Sequence, residues 1–122
     1  MVSKKFLVPI DYGTAELSSK LKTIGVTTPV LIDSFDFRYC RSVEYIVQLS
    51  QGVAFLTTKL MIVHDGTDVA ISEYGTTSIG VPLIEYSFDG AFSFNNLELT
   101  LYCPTANVTP VVLKASKILF DV

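Results

Sequence analysis

The stretch Arg41–Gly75 reads RSVEYIVQLSQGVAFLTTKLMIVHDGTDVAISEYG and constrains the fold more than any other part of the chain. Val43, Tyr45, Val47 and Leu49 alternate with Glu44, Ile46, Gln48 and Ser50, and Leu60, Ile62 and His64 alternate with Lys59, Met61 and Val63. A period of two is the signature of a strand, whose successive side chains point to opposite faces. Strands are therefore expected over Arg41–Ser50, Phe55–His64 and Val69–Tyr74. Gln51-Gly52 turns the chain between the first two, and Asp65-Gly66 is the pair that a type I′ hairpin turn favours. Ile46, Met61 and Val63 add apolar side chains to the second face, which a sheet solvated on that side does not need.

The remaining chain continues in the same way. Val30–Phe37, Leu83–Asp89, Phe92–Tyr102 and Pro110–Phe120 bring the expected strands to about seven, with turn signals between them. Asp89-Gly90 is a second hairpin signal, Asn95-Asn96 reads as a bulge or kink, and Gly75–Pro82 reads as irregular. This spacing predicts an all-β protein, an antiparallel β-sandwich with a jelly-roll-like arrangement among the options. Residues 30–122 form the sandwich in this reading, and residues 1–29 form an extended N-terminal arm. Within the arm, Leu17 and Leu21 are spaced for a short helix over Thr14–Lys22, although a loop fits as well. Phe6, Leu7, Val8 and Ile10 are apolar, and Pro9 rules out a helix there, so this segment is suited to adding a strand to a neighbouring sheet.

At 122 residues the chain is one domain with enough length to bury a core. Apolar residues make up 49% and charged residues 17%, and the mean hydropathy is +0.46. No apolar run approaches the roughly 20 residues of a membrane-spanning helix, so no membrane partner is expected. The surplus lies on alternating strand positions, and the simplest outlet is burial between copies of the chain. Ile46, Met61 and Val63, together with Phe6, Leu7, Val8 and Ile10, are the candidate interface. Closed symmetry would bury such a face, and a homotrimer is the expected assembly.

Net charge is −3, with nine Lys and Arg against twelve Asp and Glu. A nucleic-acid partner is not expected, because the basic residues are scattered rather than clustered against phosphates. Phe6–Ile10 is too short for a signal-peptide core, which predicts synthesis in a host cytoplasm.

Catalytic grammar is missing from the sequence. A nucleophile needs an adjacent base, and the single His64 precedes a turn, where a partly exposed structural role is expected. Asp33, Asp36, Asp65, Asp68 and Asp89 fall mostly at strand ends and turns, where Asp serves the backbone. Cys40 and Cys103 read as buried hydrophobes rather than a disulfide, and one His with two distant Cys does not make a zinc site. No enzyme activity, no cofactor and no metal are expected. Tyr12, Tyr86 and loop aromatics offer a weaker alternative, a carbohydrate- or receptor-binding face.

Tyr39, Arg41, Ser42, Tyr45, Val47 and Gln48, followed by His64, Asp65, Gly66 and Thr67 and then by Glu73, Tyr74 and Gly75, carry a family resemblance. With the opening Lys4–Asp11, they resemble a β-rich domain of tailed-bacteriophage virion structural proteins, over roughly Asp33–Val122. Cys40 and Val43 depart from that pattern, and no fibre shaft follows, which implies a free-standing copy. The resemblance implies a virion component without enzyme chemistry. Its most concrete form is a capsid decoration (cement) protein partnered with the major capsid protein or other virion proteins. A tail, neck or fibre-attachment component is the alternative in the same class.

Overall fold

The computed structural model describes residues 15–80, 84–104, 106 and 109–121. Eight strands follow one another: β1 Ala15–Ile24, β2 Val30–Asp36, β3 Cys40–Gln51, β4 Ala54–His64, β5 Val69–Ile79, β6 Ser87–Ser93, β7 Asn96–Tyr102 and β8 Val111–Asp121. Every pairing is antiparallel. One sheet has the order β1-β8-β3-β4-β5 and the other β2-β7-β6. The fold is thus the antiparallel sandwich expected from the alternation. β1 beside β8 in one sheet and β2 beside β7 in the other is the wrapped pairing of a jelly roll, whereas β3-β4-β5 is a plain meander.

The core fills the space between the sheets. Val43, Tyr45, Val47 and Leu49 of β3, Leu60 and Ile62 of β4, and Val111 and Leu113 of β8 are buried from one side. Leu97, Leu99 and Leu101 of β7 and Phe35 of β2 are buried from the other. Each large aliphatic side chain so removed from water contributes about 1.5–3 kcal/mol.

Four local expectations need correction. Ala15–Ile24 is not a helix or a loop but a strand, paired with β8 along its whole length. The Leu17/Leu21 spacing lost to the ladder that β8 offers, a tertiary override of a weak local signal. Asp65-Gly66 begins a four-residue connection instead of a two-residue type I′ turn, since His64 pairs with Val69 and only Gly66 has positive φ (+91°). The Asp65 carboxylate holds that loop by accepting the N–H of Thr67 at 2.9 Å and of Asp68 at 2.7 Å.

Asp89-Gly90 lies inside β6, and the turn falls at Phe94-Asn95, with Phe94 in the left-handed region (φ +53°). β5 runs on to Ile79 through Gly75 (φ +68°), beside an irregularity in the β4–β5 register. Finally, Gly80 (φ +105°) lies against the β3–β4 turn, where an added Cβ would sit 2.6 Å from Val53 O and from Ala54 Cα.

Candidate functional site

Three features stand out: the outer face of the five-stranded sheet, a cleft beside β5, and a charged cluster between the sheets.

The outer face is built from the strand positions that alternate with the core. On β3 it carries Glu44, Ile46 and Gln48, and on β4 Phe55, Thr57, Lys59, Met61 and Val63. Ile46 pairs with Lys59 on β4 and Ser116 on β8, while Met61 pairs with Glu44 and Ser72. Ile46 is 49% exposed, Met61 39% and Val63 46%, so the three candidate interface residues do share one solvent-facing surface. Leu21, Phe55, Ile79 and Phe120 are exposed beyond them. Leu21, Ile46, Gln48, Thr57, Lys114 and Ser116 border a shallow depression of about 580 Å³ on this face. Phe6, Leu7, Val8 and Ile10, the other candidate interface residues, lie outside the described residues, as does Tyr12. Sequence reading missed Phe94, which is 99% exposed at the tip of the β6–β7 turn.

The cleft lies between β5 and the segment leading into β6. It measures about 600 Å³ and is lined by Glu73, Glu85, Tyr86, Ser87 and Tyr102 among others. Tyr86, one of the expected sugar-facing aromatics, donates its hydroxyl to Glu73 and stands edge-on to Phe88 at 5.5 Å between ring centroids. Glu73 Oε2 also accepts the Thr58 hydroxyl at 2.9 Å. Burial, followed by the bond to Glu73, holds the Tyr86 hydroxyl above its ordinary pKa.

Between the sheets, Asp33 of β2 meets Tyr45 of β3 and Lys117 of β8. Tyr45 and Lys117 are cross-strand partners on the inward face. Tyr45 Oη donates to Asp33 Oδ2 at 2.8 Å, and Lys117 Nζ donates to the same oxygen at 2.6 Å. The Asp33 and Lys117 side chains are 1% and 10% exposed. Burial first, and then the Asp33 charge, pushes the Tyr45 hydroxyl far above its ordinary value, so it stays protonated. Asp33 is therefore not a strand-end residue serving a turn; it sits mid-strand in the core.

His64 also departs from expectation, being buried rather than partly exposed. It continues the inward series of Leu60 and Ile62, and Phe37 and Phe92 meet its ring edge-to-face. Its Nδ1 accepts the Gly66 N–H at 3.1 Å, which leaves Nε2–H to donate to the Cys40 carbonyl. His64 thus reaches Cys40 through the backbone, and the Cys40 thiol donates instead to Ser42 O at 3.1 Å. Both cysteines are buried thiols, and burial pushes that of Cys103 up to about 11.

No protein-family model and no curated protein matches this chain. Among solved structures it is similar to a tailspike protein, gp49 from Acinetobacter baumannii bacteriophage Fri1, described as a capsular polysaccharide depolymerase. That match has 10% identity and a TM-score of 0.51, and covers 94% of this chain and 21% of the tailspike chain. The tailspike protein of Acinetobacter phage vB_ApiP_P1 matches at 12% identity over 100% of this chain and 24% of its own, with a TM-score of 0.35, below the level of a shared fold. The chain thus spans about a fifth of the tailspike that it resembles, and the likeness is one of fold.

Proposed function

We propose that this protein is a structural β-module of a phage tail appendage, associated with a fibre or tailspike, and that it works by assembling with copies of itself instead of by catalysis. The observation that carries this reading is the outer face of the five-stranded sheet, where Ile46, Met61 and Val63 are solvent-exposed and Leu21, Phe55 and Phe120 widen the apolar surface. They share that face with Glu44, Lys59 and Ser116, and burying exposed apolar side chains among polar ones is what an assembly interface does. Rotational symmetry buries the same patch once per copy, and a trimer is the closed form proposed. The tailspike-like fold favours the tail over the capsid within the virion class.

Light scattering on the purified chain tests the assembly. Wild type should be a trimer, and Met61→Lys should be a folded monomer, because the interface would have to desolvate an added ammonium. A monodisperse wild-type monomer would overturn the reading. Immunogold labelling of intact particles tests the location: label is expected on tails, and label on capsid shells would restore the cement alternative.

A saccharide-binding role is the second reading, favoured by the cleft that brings Tyr86 and Tyr102 beside Glu73 and Glu85. Aromatic faces with hydrogen-bonding rims suit pyranose rings. A glycan array compared between wild type and Tyr86→Ala is the test, with binding lost in the variant.

A further inference from the structure

The cluster between the sheets has the composition of a reaction as well as of an ion pair. A primary amine and a carboxyl group are held 2.6 Å apart, N to O, in a site where both are almost fully removed from water. The Phe35 ring lies 5.9 Å from Lys117 Nζ, and a tyrosine hydroxyl is bonded to the carboxyl oxygen that faces the amine. Burying two full charges costs several kcal/mol per ion in such surroundings, a cost that an uncharged amide in their place does not carry. Fixed contact between reactants replaces a bimolecular encounter, and effective molarities in such cases reach about 10⁵ M or more.

We propose that Lys117 and Asp33 condense into an intramolecular isopeptide bond that ties β8 of the five-stranded sheet to β2 of the three-stranded sheet. The ammonium passes one proton to the carboxylate, leaving Nζ with a lone pair and Asp33 as the free acid. Nζ attacks Cγ and forms the new C–N bond. The C–Oδ2 bond then breaks, and Oδ2 leaves as water with the proton already on it and a second proton from Nζ. Tyr45 Oη, hydrogen-bonded to Oδ2, is placed to relay that second proton and ends unchanged. The products are a neutral amide and one water, with no oxidant, reductant or activating group required. Excluded solvent then protects the amide from hydrolysis, and two buried charges are lost. Asp33 and Lys117 are 84 positions apart, so the bond would close most of the chain into one covalent ring.

Intact-mass measurement of the folded full-length chain, denatured immediately beforehand, is the test. The expected mass is below that of the sequence by one water. A tryptic digest should contain a branched species joining residues 23–38 to residues 115–122, uncut after Lys117. Lys117→Arg keeps the cation but removes the amine nucleophile, and its mass should equal its sequence. A wild-type mass equal to the sequence after prolonged incubation of the folded chain would leave a plain ion pair and overturn the proposal. Loss of water from Lys117→Arg as well would overturn it too, because the missing water would then come from elsewhere.

Discussion

Strand β3 places the same chemistry on both of its faces. Inward, Tyr45 meets a carboxylate, Asp33, and an ammonium, Lys117. Outward, one residue earlier, the Glu44 carboxylate accepts the Tyr74 hydroxyl, and Lys59 Nζ lies 6.0 Å from the centroid of the Tyr74 ring. A tyrosine, an acid and a lysine thus form each cluster, and solvent is what distinguishes them. Inside, water cannot take the place of a lost partner, and the whole desolvation penalty falls on whatever is left unpaired. Outside, water and salt substitute readily, and such contacts contribute little.

The first way to break this comparison is to delete one partner on each side. Asp33→Ala strands a buried ammonium and a buried hydroxyl, and urea unfolding should register a loss of about 3–5 kcal/mol. A neighbouring pair on β4 offers a second contrast. Leu60 is fully buried and Met61 is 39% exposed, so Leu60→Ala should cost about 2–5 kcal/mol and Met61→Ala about 0.5 kcal/mol or less in the monomer.

Titration sharpens the same contrast. The folded-state pKa of Tyr45 is raised, so its contribution is complete below its ordinary value of 10 and is lost as pH climbs above that. Asp65 behaves in the opposite sense, because backbone N–H bonds from Asp68 and Thr67 lower its pKa. Its contribution is present above the ordinary carboxylate range and fades as acid reaches the lowered value. Thermal melts across pH should therefore fall steeply on the alkaline side through Tyr45, and Asp65→Ala should remove only a shallow part of the acid slope.

Phe94 supplies a gain. Its left-handed backbone suits glycine, and with the side chain in solvent, Phe94→Gly should raise stability by about 1 kcal/mol in a melt of the monomer. The smallest effect belongs to the outer cluster: Glu44→Gln should leave the melting temperature unchanged, and a clear drop would mean that the outward cluster is shielded from water.

What the sequence made legible follows from the same physics. The seven strands from Val30 onward were readable because alternation reports burial directly, and the exposure of Ile46, Met61 and Val63 followed from the same period. Lys117 was readable in principle: it continues the inward series Val111, Leu113 and Ala115, and Asp33 lies among apolar residues of β2. Taken alone, Asp33 reads as a turn carboxylate and nothing singles out Lys117, and only the facing of the two sheets unites them. β1 was lost for a related reason. A strand at a sheet edge owes its form to its neighbour, and that neighbour, β8, lies at the far end of the chain. The Asp65 loop and the Phe94 turn were misjudged because dipeptide preferences say little about loop length.

The position of β8 between β1 and β3 also sets an order of events for a chain leaving the ribosome. The β3-β4-β5 meander can form from neighbouring segments, but its β3 edge stays open from the time Gln51 emerges until Val111 and the residues after it arrive. Closure therefore waits on pairings of high sequence separation, which are slow to form and leave an unpaired edge to meet other chains. Pulse-labelled hydrogen exchange should find the β3–β4 amides protected before those that β3 shares with β8. In a crowded cell, the nascent protein's hazard and its capacity for assembly come from the same strand: β3 is both the last seam to close and the centre of the face proposed to join one copy to the next.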